Sequence, residues 1–403
     1  MRHFIGIAGV CVMPVASSLP MTASTPRIRI EGLDTLRALA IVFVVLHHYV
    51  LFVSDAPTFG WAGNIGWVGV DLFFALSGYL IGNQIFSALR GDAGLSLKRF
   101  YARRFLRTLP NFYAMLALYY LWPWFRQDAA LPDLWRFLSF TLNIGLEPGT
   151  LFSHAWSLCI EEQFYVALPA VAMVIAAVRG SLRWAWAAVV LTLALGLVAR
   201  AWLWQAVVDD ASSPQWAYFK YIYYASFCRL DELVAGVALA LLKNYHPRTW
   251  RRLTAHGNAL FVAGLAICAL TFGWFLAGRY EFAVTVFGFP LLAAGFSLLI
   301  VAALSEGSVL SATRVPGAGK IALWSYAIYL THKQVSVLGA QALSERGYGP
   351  DSALVIGALM VVSVLSGWVL FRCVETPFMW LRERYVPLKA PLKAPLKTSI
   401  KPR

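Results

Sequence analysis

The sequence predicts an all-α fold: a polytopic membrane bundle of about ten transmembrane helices, with both termini in the cytoplasm. Three observations carry this. Of 403 residues, 59% are hydrophobic and 13% charged, against a charged share of about 25% in soluble domains. Apolar runs near the ~20 residues needed to span a bilayer recur along the chain, and none alternates as a barrel strand would. Lys and Arg, finally, are divided unevenly between the two sets of connections.

The runs fall at about 33–53, 68–88, 105–125, 157–178, 184–206, 224–243, 257–278, 282–303, 321–341 and 353–373. The connections on one side, with the two flanking segments, hold twenty-four Lys and Arg; the opposite connections hold five, Arg126, Arg136, Lys220, Arg279 and Arg346. Basic residues are retained in the cytoplasm, so this count orients the bundle. It also accounts for most of the net charge of +14, and no nucleic-acid partner is expected. The longest polar connections, about 126–156 and 207–223, are too short to bury a core of their own. The first contains a periodic stretch, Leu134 to Phe140, that reads as an interfacial helix over the outer mouth. Cys11, Cys159, Cys228, Cys268 and Cys373 have no paired spacing, so neither a disulfide framework nor a metal site is expected.

One transmembrane domain, 30–378, is thus flanked by a leader, 1–29, and a tail, 379–403. The leader has Arg2 and His3 ahead of an apolar run, like a secretion signal, yet cleavage would start the next segment outside, against the basic count. A start at Met21, or an uncleaved leader, fits better. The tail, PLKAPLKAPLKTSIKPR, repeats a four-residue unit in which proline opposes helix and lysine opposes burial. It reads as disordered and held near anionic lipid.

The chemistry starts from Arg37 and His48, eleven residues apart in the first run. At 100° per residue they project from one face, separated by about 16 Å along the axis. Ionisable groups inside a span are costly, so the pair marks a functional site; the alternative for His48 is a polar group satisfied by a neighbouring helix. His47 lies about 100° around and reads as packing. The fourth run enters from outside at WSLCIEEQFY, with Ser157 and Glu161 one turn apart on one face. On this count Glu161 shares the depth of His48, where a carboxylate would hold the imidazole in one tautomer and make it a general base. The other reading of Glu161 is a charge complementing the helix dipole.

On the cytoplasmic side, RFYARRFLRTLP gathers Arg99, Arg103, Arg104 and Arg107. Their guanidinium groups suit the phosphates of a soluble cofactor, or serve only as topology anchors. Further polar groups fall inside runs: Asp71, then Arg229, Asp231 and Glu232, then Tyr326, Tyr329, His332 and Lys333. Arg229 can neutralise Asp231 or Glu232, so pairing and function weigh equally there. Asp71 opens an inward-running helix, where the dipole favours a carboxylate. Gly69, Ser77 and Gly78 permit close helix approach.

Taken in order, GLDTLRALAIVFVVLHH, GVDLFFALSGYLI, RFYARRFLRTLP, WSLCIEEQFY, FCRLDELVAG, SYAIYLTH and ETPF resemble the acyltransferase-3 family of membrane O-acyltransferases, over Ile30 to Phe378. The resemblance implies a bundle of about ten helices in a bacterial inner membrane. Such a bundle takes an acyl group, commonly acetyl, from cytoplasmic acyl-CoA to a hydroxyl of an extracytoplasmic or lipid-linked glycan. The family's arginine, ten intervening residues and histidine fall on Arg37 and His48, implying His48 as base or transfer residue. Its SLxxExxFY signature falls on Ser157, Leu158, Glu161, Phe164 and Tyr165, and its RRxxR signature on Arg103, Arg104 and Arg107.

The expected catalytic set is therefore His48, Glu161 and Arg37, with Arg103, Arg104 and Arg107 on the acyl-CoA. Asp71, Ser157, Tyr165, Arg229 and Asp231 are candidate substrate-binding residues, and no metal is expected. Members of the family often carry an esterase-like extracytoplasmic domain after the bundle; none is read here, so any second transfer step would need a separate partner. The competing readings are a proton-coupled secondary transporter using His48, Glu161 and Asp231, a structural subunit of a polysaccharide export machine, and acylation of a macrolide rather than a glycan.

Overall fold

The computed structural model describes residues 30–92, 94–127, 129–177 and 182–387. The leader, with Arg27 and Arg29, and the lysine repeats of the tail lie outside the described residues. Ten long helices form the body: α1 (Glu31–Tyr49), α2 (Val68–Arg90), α3 (Leu97–Leu121), α4 (Trp156–Ala177), α5 (Leu182–Leu203), α6 (Asp231–Tyr245), α7 (Gly257–Gly278), α8 (Phe282–Ala303), α9 (Ala318–Ser344) and α10 (Ala353–Leu370). Each apolar run of the sequence has its helix, and the fold is an all-α polytopic membrane bundle. Seven helical segments among the described residues are long and apolar enough to cross a membrane. The three helices that fall short are α3, α6 and α9, which carry Arg103, Arg104 and Arg107, Asp231 and Glu232, and His332 and Lys333. Polar side chains are tolerated at that depth when neighbouring helices screen them from lipid.

Packing follows from small residues. α2 lies along α6, α7 along α8 and α9 along α10, while α1 packs on both α2 and α9. A Cβ on Gly78 would overlap the Leu233 carbonyl, and one on Gly236 the Ala75 carbonyl. The two backbones of α2 and α6 therefore touch, as close helix pairs in membranes do. Beyond Tyr49, α1 continues as a π turn, Val50–Ser54.

The connection between α3 and α4 holds the expected short helix, Leu134–Leu138, but it does not merely lie over the bundle. Phe137, Leu142, Leu146 and Phe152 are 0–1% exposed. Phe152 stacks on Phe112, Tyr119 and Phe137 with ring centres 4.5–5.9 Å apart. Its φ of 55° is one that a bulky residue adopts only when its surroundings hold it there. This aromatic plug fills the end of the bundle and sets Trp156, the first residue of α4, well below the surface.

At the other end, α11 (Thr376–Tyr385) follows α10 through a π turn. Residues 379–385, expected to begin a disordered tail, are helical. The proline repeats start only at Pro387, and Glu383 supplies a counter-charge for Arg103 at 2.9 Å, while Arg103 also bonds the Val386 carbonyl. Glu31 pairs with Arg314 at 3.9 Å. The described chain thus begins and ends at one face, the basic one; the plug marks the far face.

Candidate functional site

Polar side chains occupy two layers inside the bundle. The first is a cavity of about 100 Å³ lined by Arg37, Ser77, Arg104, Arg107, Glu161 and Tyr326 among others. The Arg104 guanidinium lies 3.7 Å from the centre of the Tyr165 ring, 4.0 Å from Glu161 and 3.8 Å from Glu162. Ser77 donates to Glu161 at 2.9 Å. Arg107 faces Glu375 at 3.7 Å. Arg37 has Arg104 and Arg107 within electrostatic reach and no carboxylate in ion-pair contact among the described residues. Three cations thus share one cavity with two carboxylates, a net positive lining that suits an anionic ligand.

The far wall of the cavity is a pair of hydroxyl groups. Tyr329 donates to the His154 carbonyl at 2.7 Å, and the Ser157 hydroxyl, 2.6 Å away, donates to the Tyr329 oxygen.

Beyond that wall lie three imidazoles. The His48 and His332 rings are within 4° of parallel with centres 4.9 Å apart, and His154 stands edge-on to them at 5.9 and 5.8 Å. His332 Nδ1 is 2.9 Å from the Ile328 carbonyl, which can only accept, so this nitrogen carries the proton. Neutral His332 then offers a lone pair at Nε2, and His48 Nδ1, 2.7 Å away, must donate to it. The chain of bonds fixes the tautomer of His48 and leaves its Nε2 lone pair free. His154 has both ring nitrogens buried without a hydrogen-bond partner. Lys333 donates to Ser153 at 3.3 Å and sits 3.8 Å from the centre of the Phe52 ring. His47 turns to the Gly63 carbonyl at 2.9 Å, as a packing residue.

This arrangement corrects several expectations. Glu161 does not orient His48: it belongs to the cavity layer with Ser77 and Arg104, seven residues and so about 10 Å along α4 from His154. Counting depth from Trp156 as if it lay at the surface overlooked the inserted plug. His332 fills the role read for Glu161. Asp71, Arg229 and Asp231, expected on the substrate, line neither layer and are held in buried ion pairs. Asp71 and Arg229, both 0% exposed, pair with one another. Asp231 is held by Arg200 at 2.5 and 3.0 Å, and Glu232 is left without a partner. Arg200, passed over within its run, is the cation that frees Arg229 for Asp71. Arg103 turns away from the cavity to Glu383. Ser157 sits in the wall, and Tyr165 beneath Arg104, as the motif spacing allows.

His154 was missed because it precedes the WSLCIEEQFY motif, in what reads as an outer loop. His332 and Lys333 were visible as polar residues in a span, but nothing in the sequence joined them to His48.

A membrane bundle with a cationic cavity at one end and a free imidazole lone pair beyond it is an arrangement suited to group transfer. The chain belongs to the acyltransferase-3 family, whose acyltransferase domain it matches over residues 30–372. It is 30% identical over 376 residues to the peptidoglycan O-acetyltransferase OatA of Listeria monocytogenes, covering 86% of this chain and 55% of the relative. YrhL of Bacillus subtilis, provisionally named a peptidoglycan O-acetyltransferase, is 30% identical over 77% of this chain and 49% of its own. BcsY of Komagataeibacter xylinus, provisionally named a membrane-bound transacylase, is 27% identical over 85% of this chain and 82% of its own. The chain spans about half the length of the first two. No solved structure matches it.

Proposed function

We propose that the chain is an acyl-CoA-dependent O-acyltransferase of a bacterial inner membrane, moving an acetyl group from the cytoplasmic face to a hydroxyl of a glycan on the other side. The observation that carries this reading is the pairing of an arginine-lined cavity with an imidazole whose Nε2 lone pair is free, on either side of the Ser157–Tyr329 wall. The names of the relatives support the acetyl group and the glycan acceptor.

Arg37, Arg104 and Arg107 hold the donor's phosphates while the thioester reaches past Tyr329. His48 Nε2 takes the proton of the attacking hydroxyl as its oxygen bonds to the acyl carbon. The tetrahedral adduct then collapses, the carbon–sulfur bond breaks, and the departing thiolate recovers the proton from His48. No net proton is consumed, and the ester and free CoA are the products. His48→Ala is expected to abolish acetyl esters on cell-surface glycans, measured by mass spectrometry, with the protein still present in the membrane. Esters retained at the parental level would refute the assignment. Loss of thioester from acetyl-CoA in the purified protein separates this reading from a transporter, which would consume none.

A further inference from the structure

Two buried groups near His48, His154 and Lys333, have hydrogen-bonding capacity left over. His154 is 3% exposed and neither of its ring nitrogens makes a hydrogen bond of good geometry, the Leu330 backbone being its one polar neighbour of note, whereas buried polar atoms are almost always satisfied. Lys333 is 5% exposed, and its contacts are one serine hydroxyl and the face of Phe52. No carboxylate is in ion-pair contact with it among the described residues, although Arg200, Arg229, Arg104, Arg103 and Arg107 each have one. A buried ammonium is costly unless a negative charge joins it. His154 comes from the turn before α4 and Lys333 from α9, so two separate elements deliver these groups to one place. Both lie within electrostatic reach of His48.

We propose that His154 and Lys333 form an oxyanion site facing His48 Nε2, where they receive the negative oxygen of the tetrahedral adduct. The inference rests on the acyl-transfer reading and adds two catalytic residues to it. When the hydroxyl oxygen bonds to the acyl carbon, its proton passes to His48 and the carbonyl electron pair moves onto oxygen. A His154 N–H and the Lys333 ammonium donate to that oxygen. When the adduct collapses, the pair returns to re-form the carbonyl, and the leaving group departs with the carbon–heteroatom bonding electrons. The charge on oxygen exists only in the adduct, so both donors favour the transition state over the bound ester.

The experiment uses the full chain in lipid nanodiscs with p-nitrophenyl acetate as acyl donor and water as the attacking hydroxyl, so that acetate and p-nitrophenolate are the products and neither the arginine cavity nor the glycan is needed. The readout is p-nitrophenolate release at saturating ester, with His48→Ala as the baseline. His154→Ala and Lys333→Met are each expected to lower kcat about 100-fold, the scale for losing one oxyanion donor, with KM changed less than threefold. His154→Gln and Lys333→Arg, which keep an N–H donor, are expected within tenfold of the parent. A merely structural role would lower the yield of folded protein and leave kcat per folded protein, quantified from the monodisperse nanodisc fraction, unchanged.

The proposal is overturned if His154→Ala and Lys333→Met both keep kcat within threefold of the parent, or if the parent does not exceed His48→Ala with this ester. Because neither acyl-CoA nor glycan is present, a failure here is distinct from failure of the transfer reading.

Discussion

Replacing His332 with phenylalanine tests the central geometric claim. His48 Nδ1 donates to His332 Nε2 at 2.7 Å, and phenylalanine keeps a ring of similar shape without the lone pair. The Nδ1–H tautomer would then leave a buried donor unsatisfied, a penalty of about 1–3 kcal/mol. The other tautomer avoids that penalty by moving the proton to Nε2, which removes the base. At RT of about 0.6 kcal/mol, the productive tautomer falls by about 5- to 150-fold, and kcat should fall with it. Binding of acetyl-CoA, which the proposed function places on the arginines across the wall, should not change. His332→Gln offers an amide oxygen in place of the lone pair and should retain most of the rate. The assay is single-turnover acetyl transfer, with acetyl-CoA affinity measured separately by calorimetry. A parental kcat in His332→Phe would refute the tautomer argument, as would a loss in His332→Gln equal to that in His332→Phe.

Three further expectations follow from the same contacts. Arg37→Gln, which breaks no ion pair, should weaken acetyl-CoA binding about tenfold by calorimetry; unchanged affinity would leave this arginine a role in the chemistry or the topology only. Asp71→Asn strands the Arg229 charge and should cost about 3–5 kcal/mol of stability, whereas Asp71→Leu with Arg229→Met should recover much of it; equal thermal transitions for the single and double variants would contradict the pairing. At the far face, the hydrogen bond from Lys220, helped by the Trp216 indole, holds the Glu147 carboxyl below its ordinary value. A depressed carboxyl stabilises above its unfolded pKa and loses that contribution as pH falls through the folded value, so the amide-exchange protection factors of residues 213–223, corrected for the intrinsic pH dependence, should fall below about pH 4 and stay constant between pH 6 and 8.

Much of the fold could be read directly, because a membrane helix must be long and apolar whatever surrounds it. The eleven-residue interval from Arg37 to His48 also survives, since it depends on the geometry of one helix alone. Depth across helices is different. Glu161 was placed by counting from Trp156, and only the burial of Phe137 and Phe152 reveals that this end is filled from above. Choice of partner is likewise a tertiary matter: Arg229 has Asp231 two residues away, yet α2 brings Asp71 to it and α5 brings Arg200 to Asp231. The link from His48 to His332 joins residues 284 positions apart, and no local pattern encodes it.

The Ser157–Tyr329 pair has an electrical consequence. A passage lined with arginines would leak anions if it ran uninterrupted to the other side, dissipating the voltage that the cell maintains. Two hydroxyl groups in contact separate the arginine cavity from the imidazoles, so a voltage across the membrane would fall in part over this short barrier. In the proposed transfer an uncharged acyl group would cross such a barrier at little electrical expense, while the donor's phosphates stay behind.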